Sequence, residues 1–193
     1  DYVAHEMGHQ FGGYHIQSSS GCRSGNGSTE VEPGSGSSIM GYAGICSTNV
    51  QNNSDAYFGY VNIRDILDNV KNGVSASCAQ ITDFDNNPPT ADAGQDYVIP
   101  KSTPFMLIGA ATDPDGDAIT YNWEENDPEN PNSSAAPTPT RVAGPMYRSL
   151  SASTSNVRLM PNLATVLAGN SFNTWEANPS VARTLNFRSE EHT

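Results

Sequence analysis

The stretch His5-Glu6-Met7-Gly8-His9-Gln10-Phe11-Gly12-Gly13-Tyr14-His15 carries three of the four histidines in the 193-residue chain. His5 and His9 are spaced i and i+4, so on a helix their side chains lie on one face and reach a common ion. Glycine accepts the left-handed backbone that ends helices, so Gly12 predicts a turn that brings His15 to the same ion. Three nitrogen ligands with a fourth position open for water are typical of a catalytic zinc site.

Glu6 follows the first of these histidines directly and is expected to project near the open ligand position. Zinc lowers the pKa of a bound water to about 7, so that a carboxylate can take its proton and hydroxide can attack a peptide carbonyl. The same carboxylate can then pass the proton to the leaving amine. The alternative, an amphipathic helix with surface histidines, explains neither Gly12 nor the clustering of the histidines.

The motif HExxHxxGxxH, followed by Ser38-Ile39-Met40-Gly41-Tyr42, resembles the metzincin clan of zinc metallopeptidases. The resemblance implies three zinc ligands, a general base, a helix-ending glycine and a methionine turn beneath the metal, which are here His5, His9 and His15; Glu6; Gly12; and Met40. Taken alone, a methionine in such an apolar run is usually core filler. A gluzincin, which takes its third ligand from a downstream Glu, is the competing family, and the close spacing of glycine and third histidine disfavours it.

The run Glu32–Cys46 most resembles the bacterial reprolysin-like metallopeptidases, relatives of the adamalysins, and the match covers roughly residues 1–80. Adamalysins usually place Asp after the third histidine, where this chain has Ile16. Tyr42 stands two residues after Met40, as in astacins and serralysins, where that tyrosine binds zinc or stabilises the oxyanion. A phenol O–H there suits a transition-state donor, and the alternative is a tyrosine packed under the turn.

The opening of the chain reads as the middle of an apolar-periodic helix over residues 2–11, with no start signal in front of it. We therefore expect the first half of the catalytic domain to precede Asp1. In metzincins that half contains the sheet that pairs with extended substrate. The isolated chain is accordingly expected to show weak turnover or none, even if it binds zinc.

A second helix is expected over residues 62–71, with Asn62 and Asp65 as a capping pair and Gly73 as its stop. Its apolar residues follow i, i+3, i+4 and i+7. Between the two helices, Ser18–Ser38 is rich in Ser, Gly, Asn and Pro and contains almost nothing apolar. This composition predicts an irregular loop that takes its order from a metal or a disulfide.

The chain has three cysteines, which is an odd number for what resembles an exported protein. We expect Cys22 to pair with Cys46, which leaves Cys78 to bond sequence outside the chain, and free thiols throughout are the alternative. The net charge of −12 and the lack of a Lys/Arg cluster argue against nucleic-acid binding. No stretch approaches the roughly 20 apolar residues of a membrane span. A secreted bacterial protein with protein or peptide substrates is expected, and the sequence does not indicate its oligomeric state.

After a polar, proline-ended linker, the period of the pattern changes from 3.6 to 2. The strands that this pattern predicts are residues 96–100, 105–109, 118–124 and 183–188. Residues 125–160 read as a long loop, and residues 162–168 as a short helix. The third of these strands alternates apolar and polar residues, which predicts a half-buried strand of a β-sandwich.

Segments Pro88–Asp96 and Asp113–Trp123 resemble the PKD-type Ig-like domains attached to many secreted bacterial enzymes. The resemblance covers about residues 88–125 and places Trp123 in the core of the sandwich. Three alternating carboxylates in one turn could hold Ca²⁺, and they are Asp113, Asp115 and Asp117. The alternative is an Asp/Gly turn between strands.

The sequence therefore predicts an α+β chain: the C-terminal half of a metzincin catalytic domain (zinc helix, irregular Met-turn region, C-terminal helix), then an all-β PKD-like sandwich. The expected divisions are residues 1–81, a linker at 82–89, a β-domain with an insertion at 90–188, and a tail at 189–193 that resembles a translated sequencing adapter and is set aside as non-native, together with His192. The expected function is zinc-dependent metalloendopeptidase activity on extracellular proteins. The alternative is an adhesion or substrate-binding β-domain attached to an inactive protease fragment, and the completeness of the catalytic residues favours the enzyme.

Overall fold

A computed structural model describes residues 1–19, 21–22, 27–78, 80–82, 84–128 and 136–192. Parts of the predicted loops, Asp83 of the predicted linker and Thr193 of the predicted tail lie outside the described residues. The helices and strands are α1 (Tyr2–Gln10), α2 (Tyr60–Asn72), β1 (Thr90–Asp92), β2 (Phe105–Ile108), β3 (Ala110–Thr112), β4 (Thr120–Glu125), β5 (Val157–Met160), α3 (Leu163–Leu167) and β6 (Phe187–His192), with a short 3-10 helix at Val74–Cys78. The described chain is of the predicted α+β class.

Helix α1 occupies the segment that the histidine spacing predicts. Its first N–H, that of Tyr2, donates to Asp1 Oδ1 over 3.0 Å, so Asp1 is the N-cap of the helix. The prediction that this helix has no start signal is therefore wrong. At its other end Gly12 has φ +99, a backbone conformation that residues with a side chain rarely adopt. The predicted stop at this glycine is confirmed, and the chain turns there towards His15.

Helix α2 begins two residues earlier than expected, and the predicted capping pair is wrong. Asn62 and Asp65 lie inside the helix, and the first N–H of α2 donates instead to Glu124 Oε2 over 2.8 Å. This acceptor comes from β4, far along the chain, so no local pattern could reveal it. The predicted end at Gly73 is confirmed, because the Gly73 N–H donates to carbonyls of the last helical turn.

The irregular loop between the helices is ordered by a buried carboxylate as well as by a disulfide. Glu32 is buried, and its Oε2 accepts from the backbone N–H groups of Ser37 and Ser38 over 2.9 and 3.2 Å. Its Oε1 accepts from the hydroxyls of Ser37 and Ser149. The expectation that a metal or a disulfide alone orders this loop is therefore wrong. A carboxylate that gathers several donors fixes a loop that has few apolar side chains.

The structure joins Cys22 to Cys46 by a disulfide, with the two Cα atoms 5.7 Å apart. Cys78 is a free and exposed thiol at the end of the 3-10 helix. The bond ties the loop after His15 to the segment that follows Met40. The two chain segments around the histidines are thus linked covalently.

In the described part of the chain the strands form three separate two-stranded antiparallel sheets, β1–β3, β2–β5 and β4–β6, so the predicted sandwich is not confirmed. The predicted strands at 105–109 and 118–124 correspond to β2 and β4. The predicted strand at 96–100 is wrong, since this segment is exposed and forms no strand. The predicted loop at 125–160 contains β5, which pairs with β2. The predicted short helix at 162–168 is confirmed as α3, with Asn162 as its N-cap.

Strand β6 begins later than the predicted strand at 183–188 and runs on through Ser189–His192, the residues set aside as a tail. It pairs in register with β4, where Ser189 lies opposite Trp123. The non-native origin of residues 189–193 stays a prediction. Strand β4 is buried on both faces, because Asn122 and Glu124 are buried along with Trp123, so the half-buried prediction is wrong.

Two clusters of buried side chains come from the parts of the chain before and after the predicted linker. The first packs under α1 and consists of Ile16, Val31, Ile39, Met40 and Val61. The second lies beside β2 and β5 and consists of Met146, Tyr147, Met160 and Ala177. Polar contacts connect the two regions, since Ser149 reaches Glu32 and Glu124 reaches the start of α2. The division into domains at the predicted boundaries stays a prediction. No helix among the described residues has the length and apolar character to cross a membrane.

Candidate metal centre

The three histidines of the motif converge on one point. His15 Nε2 lies 3.1 Å from His5 Nε2 and 3.0 Å from His9 Nε2. Tetrahedral zinc with Zn–N bonds of about 2.0–2.1 Å would separate its nitrogen ligands by about 3.3 Å. Within the described residues this is the one group of three or more His, Cys, Asp or Glu side chains that could hold a metal ion.

Backbone carbonyls fix which nitrogen of two rings faces the centre. His5 Nδ1 donates to Ile39 O over 2.7 Å, and His9 Nδ1 donates to Gly13 O over 2.8 Å. A carbonyl only accepts, so each Nδ1 carries the proton and each Nε2 presents a lone pair. Lone pairs that point at one another repel unless a cation lies between them. The donor set therefore fits a borderline-soft divalent ion such as Zn²⁺.

The third histidine is held by its backbone on an irregular segment. The carbonyl of His15 accepts from the Thr29 hydroxyl over 2.8 Å, and the preceding carbonyl, that of Tyr14, accepts from Asn62 Nδ2 over 2.7 Å. Burial, followed by the effects of His9 and His5, lowers the pKa of His15 to about 4. The imidazole is thus neutral at neutral pH, which is the form that binds a metal.

Met40 is fully buried directly beneath the helix that carries the first two histidines. A Cβ atom added to Gly8 would lie 2.5 Å from Met40 Sδ and 2.9 Å from the Phe58 ring. The absence of a side chain at Gly8 therefore lets α1 rest on the methionine. Ile16 N–H also donates to Met40 O, so the same residue contacts the segment that follows His15.

A small cleft of about 70 Å³ opens beside His5. Its lining residues are Asp1, Tyr2, His5, Glu6, Ile39, Gly41, Tyr42, Ala43, Ile45 and Ser54. The ring of Tyr42 lies 4.5 Å from the ring of His15, centroid to centroid. Burial, together with the nearby Glu6 carboxylate and Tyr2, raises the pKa of Tyr42, which therefore keeps its phenol O–H at neutral pH. The cleft thus combines a carboxylate and a hydrogen-bond donor beside the three histidines.

The part of the chain that contains the three histidines is similar to a known protein family. Residues 1–70 match the family model described as metallo-peptidase family M12B, reprolysin-like. These 70 residues, called the reprolysin-like segment below, contain α1, all three histidines of the motif, Glu6, Met40 and most of α2. No match was found among curated proteins or among solved structures. A family match that includes the complete histidine group supports a metallopeptidase assignment for this part of the chain.

Several groups that organise the reprolysin-like segment were not found from the sequence. The acceptors of the two Nδ1 protons are the backbone carbonyls of Ile39 and Gly13, and a carbonyl has no sequence signature. Thr29 and Asn62 hold the segment of His15 through side chains that are distant in sequence. Asn62 was interpreted as a helix cap, because its position near the start of a helical pattern is typical of one.

The three aspartates proposed for Ca²⁺ form a hydrogen-bonded turn outside the reprolysin-like segment. Asp113 Oδ1 accepts from the backbone N–H groups of Asp115 and Asp117 over 2.8 and 3.1 Å. The Asp115 carboxylate accepts from Asn87 N–H over 2.6 Å, and this bond lowers the pKa of Asp115. The described residues do not gather the three carboxylates into a metal-ligand group. These hydrogen bonds agree with the alternative, an Asp/Gly turn, and Ca²⁺ binding by these residues stays a prediction.

Substitution of Gly12 by alanine should weaken both the fold and the metal centre. The left-handed φ of +99 strains any residue with a side chain, and the added Cβ would lie 3.0 Å from Asn69 Cβ. We expect the free energy of unfolding of the metal-free chain to fall by about 1–3 kcal/mol in urea titrations. Zinc affinity should fall as well, because the turn carries the backbone to His15.

Gly116→Ala is the matched control, since Gly116 has φ +83 and open space around it. It should show a similar strain without any change in zinc affinity. Equal zinc affinities for the wild-type chain and the Gly12→Ala variant would contradict a role for this turn in placing the third ligand.

Proposed function

We propose that this chain supplies the zinc-binding and catalytic residues of a metalloendopeptidase that hydrolyses peptide bonds of extracellular proteins. The convergence of three imidazole Nε2 atoms, two of them in a tautomer fixed by backbone carbonyls, carries the proposal. The reprolysin-like match over residues 1–70 supports it. The cleft beside the histidines is also lined by Glu6 and Tyr42, whose carboxylate and phenol suit a general base and a hydrogen-bond donor to the transition state.

Each residue at the centre has a distinct role in this proposal. His5, His9 and His15 hold the ion through Nε2. When bound, Zn²⁺ supplies Lewis acidity, which polarises a substrate carbonyl and lowers the pKa of water to about 7. Glu6 accepts the proton of the attacking water and then delivers it to the leaving amine. Tyr42, which stays protonated, donates a hydrogen bond from its phenol O–H to the oxyanion that forms on the substrate.

The cleft offers an apolar wall to substrate but no strand. Ile39, Ala43 and Ile45 contribute apolar surface to its lining, and none of the lining residues lies in a strand of the described structure. An extended peptide gains much of its binding free energy from pairing with a strand edge. We therefore propose that the 193-residue chain hydrolyses peptides slowly, in keeping with the weak turnover expected from the sequence.

We further propose that residues 90–188 form an accessory β-domain of the PKD type after the linker at 82–89, in a secreted bacterial protein. The buried Trp123 and the strands at two predicted positions support the domain type. The disulfide between Cys22 and Cys46 supports an oxidising location. Peptides and proteins are the proposed substrates, and nucleic acid is not a proposed partner.

Metal removal tests the proposed activity. We expect elemental analysis to find about one zinc per chain after dialysis with trace zinc, as a three-histidine site predicts. Single-turnover hydrolysis of a fluorogenic peptide library, with the chain in excess, should be slow, should stop on addition of 1,10-phenanthroline and should return when zinc is added back. A folded chain that holds no zinc, or hydrolysis that the chelator leaves unchanged, would contradict the proposal.

A further inference from the structure

We propose that Asn62 of α2 is a positioning residue for the third zinc ligand, and that Asn69 of the same helix holds the other end of the same turn. Asn62 is fully buried, and its Nδ2 donates to Tyr14 O over 2.7 Å. Asn69 Nδ2 donates to Phe11 O over 2.8 Å. The inference rests on the proposed zinc site, because the residue that it positions is a ligand of that site.

The two asparagines lie on one face of α2, which the turn covers closely. Asn62, Ile66 and Asn69 are spaced i, i+4 and i+7, so their side chains line the same side of the helix. A Cβ atom added to Gly12 would lie 3.0 Å from Asn69 Cβ, and one added to Gly13 would lie 3.4 Å from Ile66 Cδ1. The two glycines therefore let the backbone between α1 and His15 lie directly on α2.

This contact matters because the three ligands are held in different ways. His5 and His9 are fixed relative to each other by helix α1. His15 lies beyond the end of that helix, on a segment with no helical hydrogen bonds of its own. Its place relative to the other two rings depends on the groups that hold its backbone, and Asn62 binds the carbonyl of the residue just before it. Outer groups that orient metal ligands typically contribute about 10–100-fold to metal affinity.

The two polar atoms of the Asn62 side chain differ in their hydrogen bonding, and this difference allows a positioning role to be tested apart from a purely structural one. Its Oδ1 is buried and finds no hydrogen-bond partner in the described part of the chain. A buried acceptor without a partner costs stability, so leucine, which has a similar shape, would remove this cost along with the useful donor. Removal of the unpaired acceptor raises stability, and removal of the hydrogen bond to Tyr14 lowers it. Asn62→Leu should therefore leave stability close to that of the wild-type chain while it removes the tether to Tyr14.

Metal titrations of the full 193-residue chain test this role. The metal-free wild type, Asn62→Leu and Asn62→Asp are titrated with Co²⁺, whose visible absorption reports tetrahedral ligation, and then with Zn²⁺ in competition. We expect both variants to bind Co²⁺ about 10–100-fold more weakly and with a changed spectrum. Asn62→Asp keeps the size of the side chain but replaces the donor with a second acceptor oxygen, which faces the Tyr14 carbonyl and carries charge when ionised. Asn72→Leu is the control, because Asn72 is exposed on the same helix and bonds only within it.

Thermal unfolding of the metal-free chains shows whether each variant is folded. Asn69→Ala is a second, independent variant, at the less buried end of the turn. A wild type that binds Co²⁺, with Asn62 and Asn69 variants that match it in affinity and spectrum, would overturn the positioning role and leave the proposed activity intact. Unfolding of both Asn62 variants without metal would also overturn it, since the residue would then be structural. A folded wild type that binds neither metal would overturn the proposed activity and the positioning role together.

Discussion

The His9→Ala variant should lose its zinc and keep its fold. The ring of His9 is exposed on α1, and alanine favours helix, so the substitution removes a ligand without opening a cavity. Two imidazoles leave the ion without the third protein ligand of a catalytic site. We expect zinc affinity to fall by more than the roughly 100-fold that outer-shell changes can cause.

Zinc-dependent stabilisation gives this prediction a readout that needs no activity. A ligand present at 100 times its dissociation constant raises the free energy of unfolding by about 2.7 kcal/mol, and the wild-type chain should show such a gain when zinc is added. The folded His9→Ala variant should show almost none. Gln10→Ala, at the next and also exposed position of α1, should behave as the wild type does. An unchanged gain in the His9→Ala variant would show that other groups bind the ion.

The clustering of the three histidines could be predicted because their geometry is local. The spacing of His5 and His9 places them on one helix face, and the position of Gly12 limits where the following residue can go. The structure has both features, with α1 over the predicted residues and a left-handed glycine at its end. A helix and its terminating turn depend on neighbours within a few positions, so a short motif contains most of the information that defines them.

The groups that hold the histidine-bearing segments could not be predicted, because their partners are far away in sequence. Asn62 resembled a helix cap, yet α2 starts earlier with Glu124 as the acceptor for its first N–H. Glu32 is part of a loop with almost no apolar residues, and it accepts hydrogen bonds from its own loop and from Ser149. Such roles arise only when the chain is folded, and a single sequence contains no local trace of them.

The same limit explains the errors in the second half of the chain. Strand β5 lies in a region rich in polar residues and is stabilised by pairing with β2, where Met160 lies opposite Phe105. Context of this kind overrides intrinsic strand preference. The alternation of apolar and polar residues in β4 predicts one solvent-exposed face, but Asn122 Nδ2 donates to Glu124 Oε1 within a buried polar layer. Periodicity therefore located β4 correctly and gave the wrong environment for its polar face.

Replacement of Glu6 by glutamine should separate metal binding from catalysis. Glu6 lies on α1 beside His5 and lines the cleft, and it is not one of the three metal-binding side chains. The amide has nearly the same shape as the carboxylate but cannot accept the proton of the attacking water. We expect zinc content and thermal stability to match those of the wild-type chain, while the single-turnover rate of peptide hydrolysis falls by about 10²–10⁴-fold, the usual contribution of a general base.

The control for this variant is again Gln10→Ala, which changes an exposed residue of the same helix and should leave the rate unchanged. Both variants are compared with the zinc-free wild type, which sets the background rate. If Glu6→Gln holds zinc and cleaves peptides as fast as the wild type, Glu6 is not the base, and the proton must leave through another group of the cleft. If the variant loses its zinc, the carboxylate contributes to metal binding, and the division between three ligands and one base is wrong. Only a zinc-loaded and inactive variant agrees with the geometry of the histidine centre and its adjacent carboxylate.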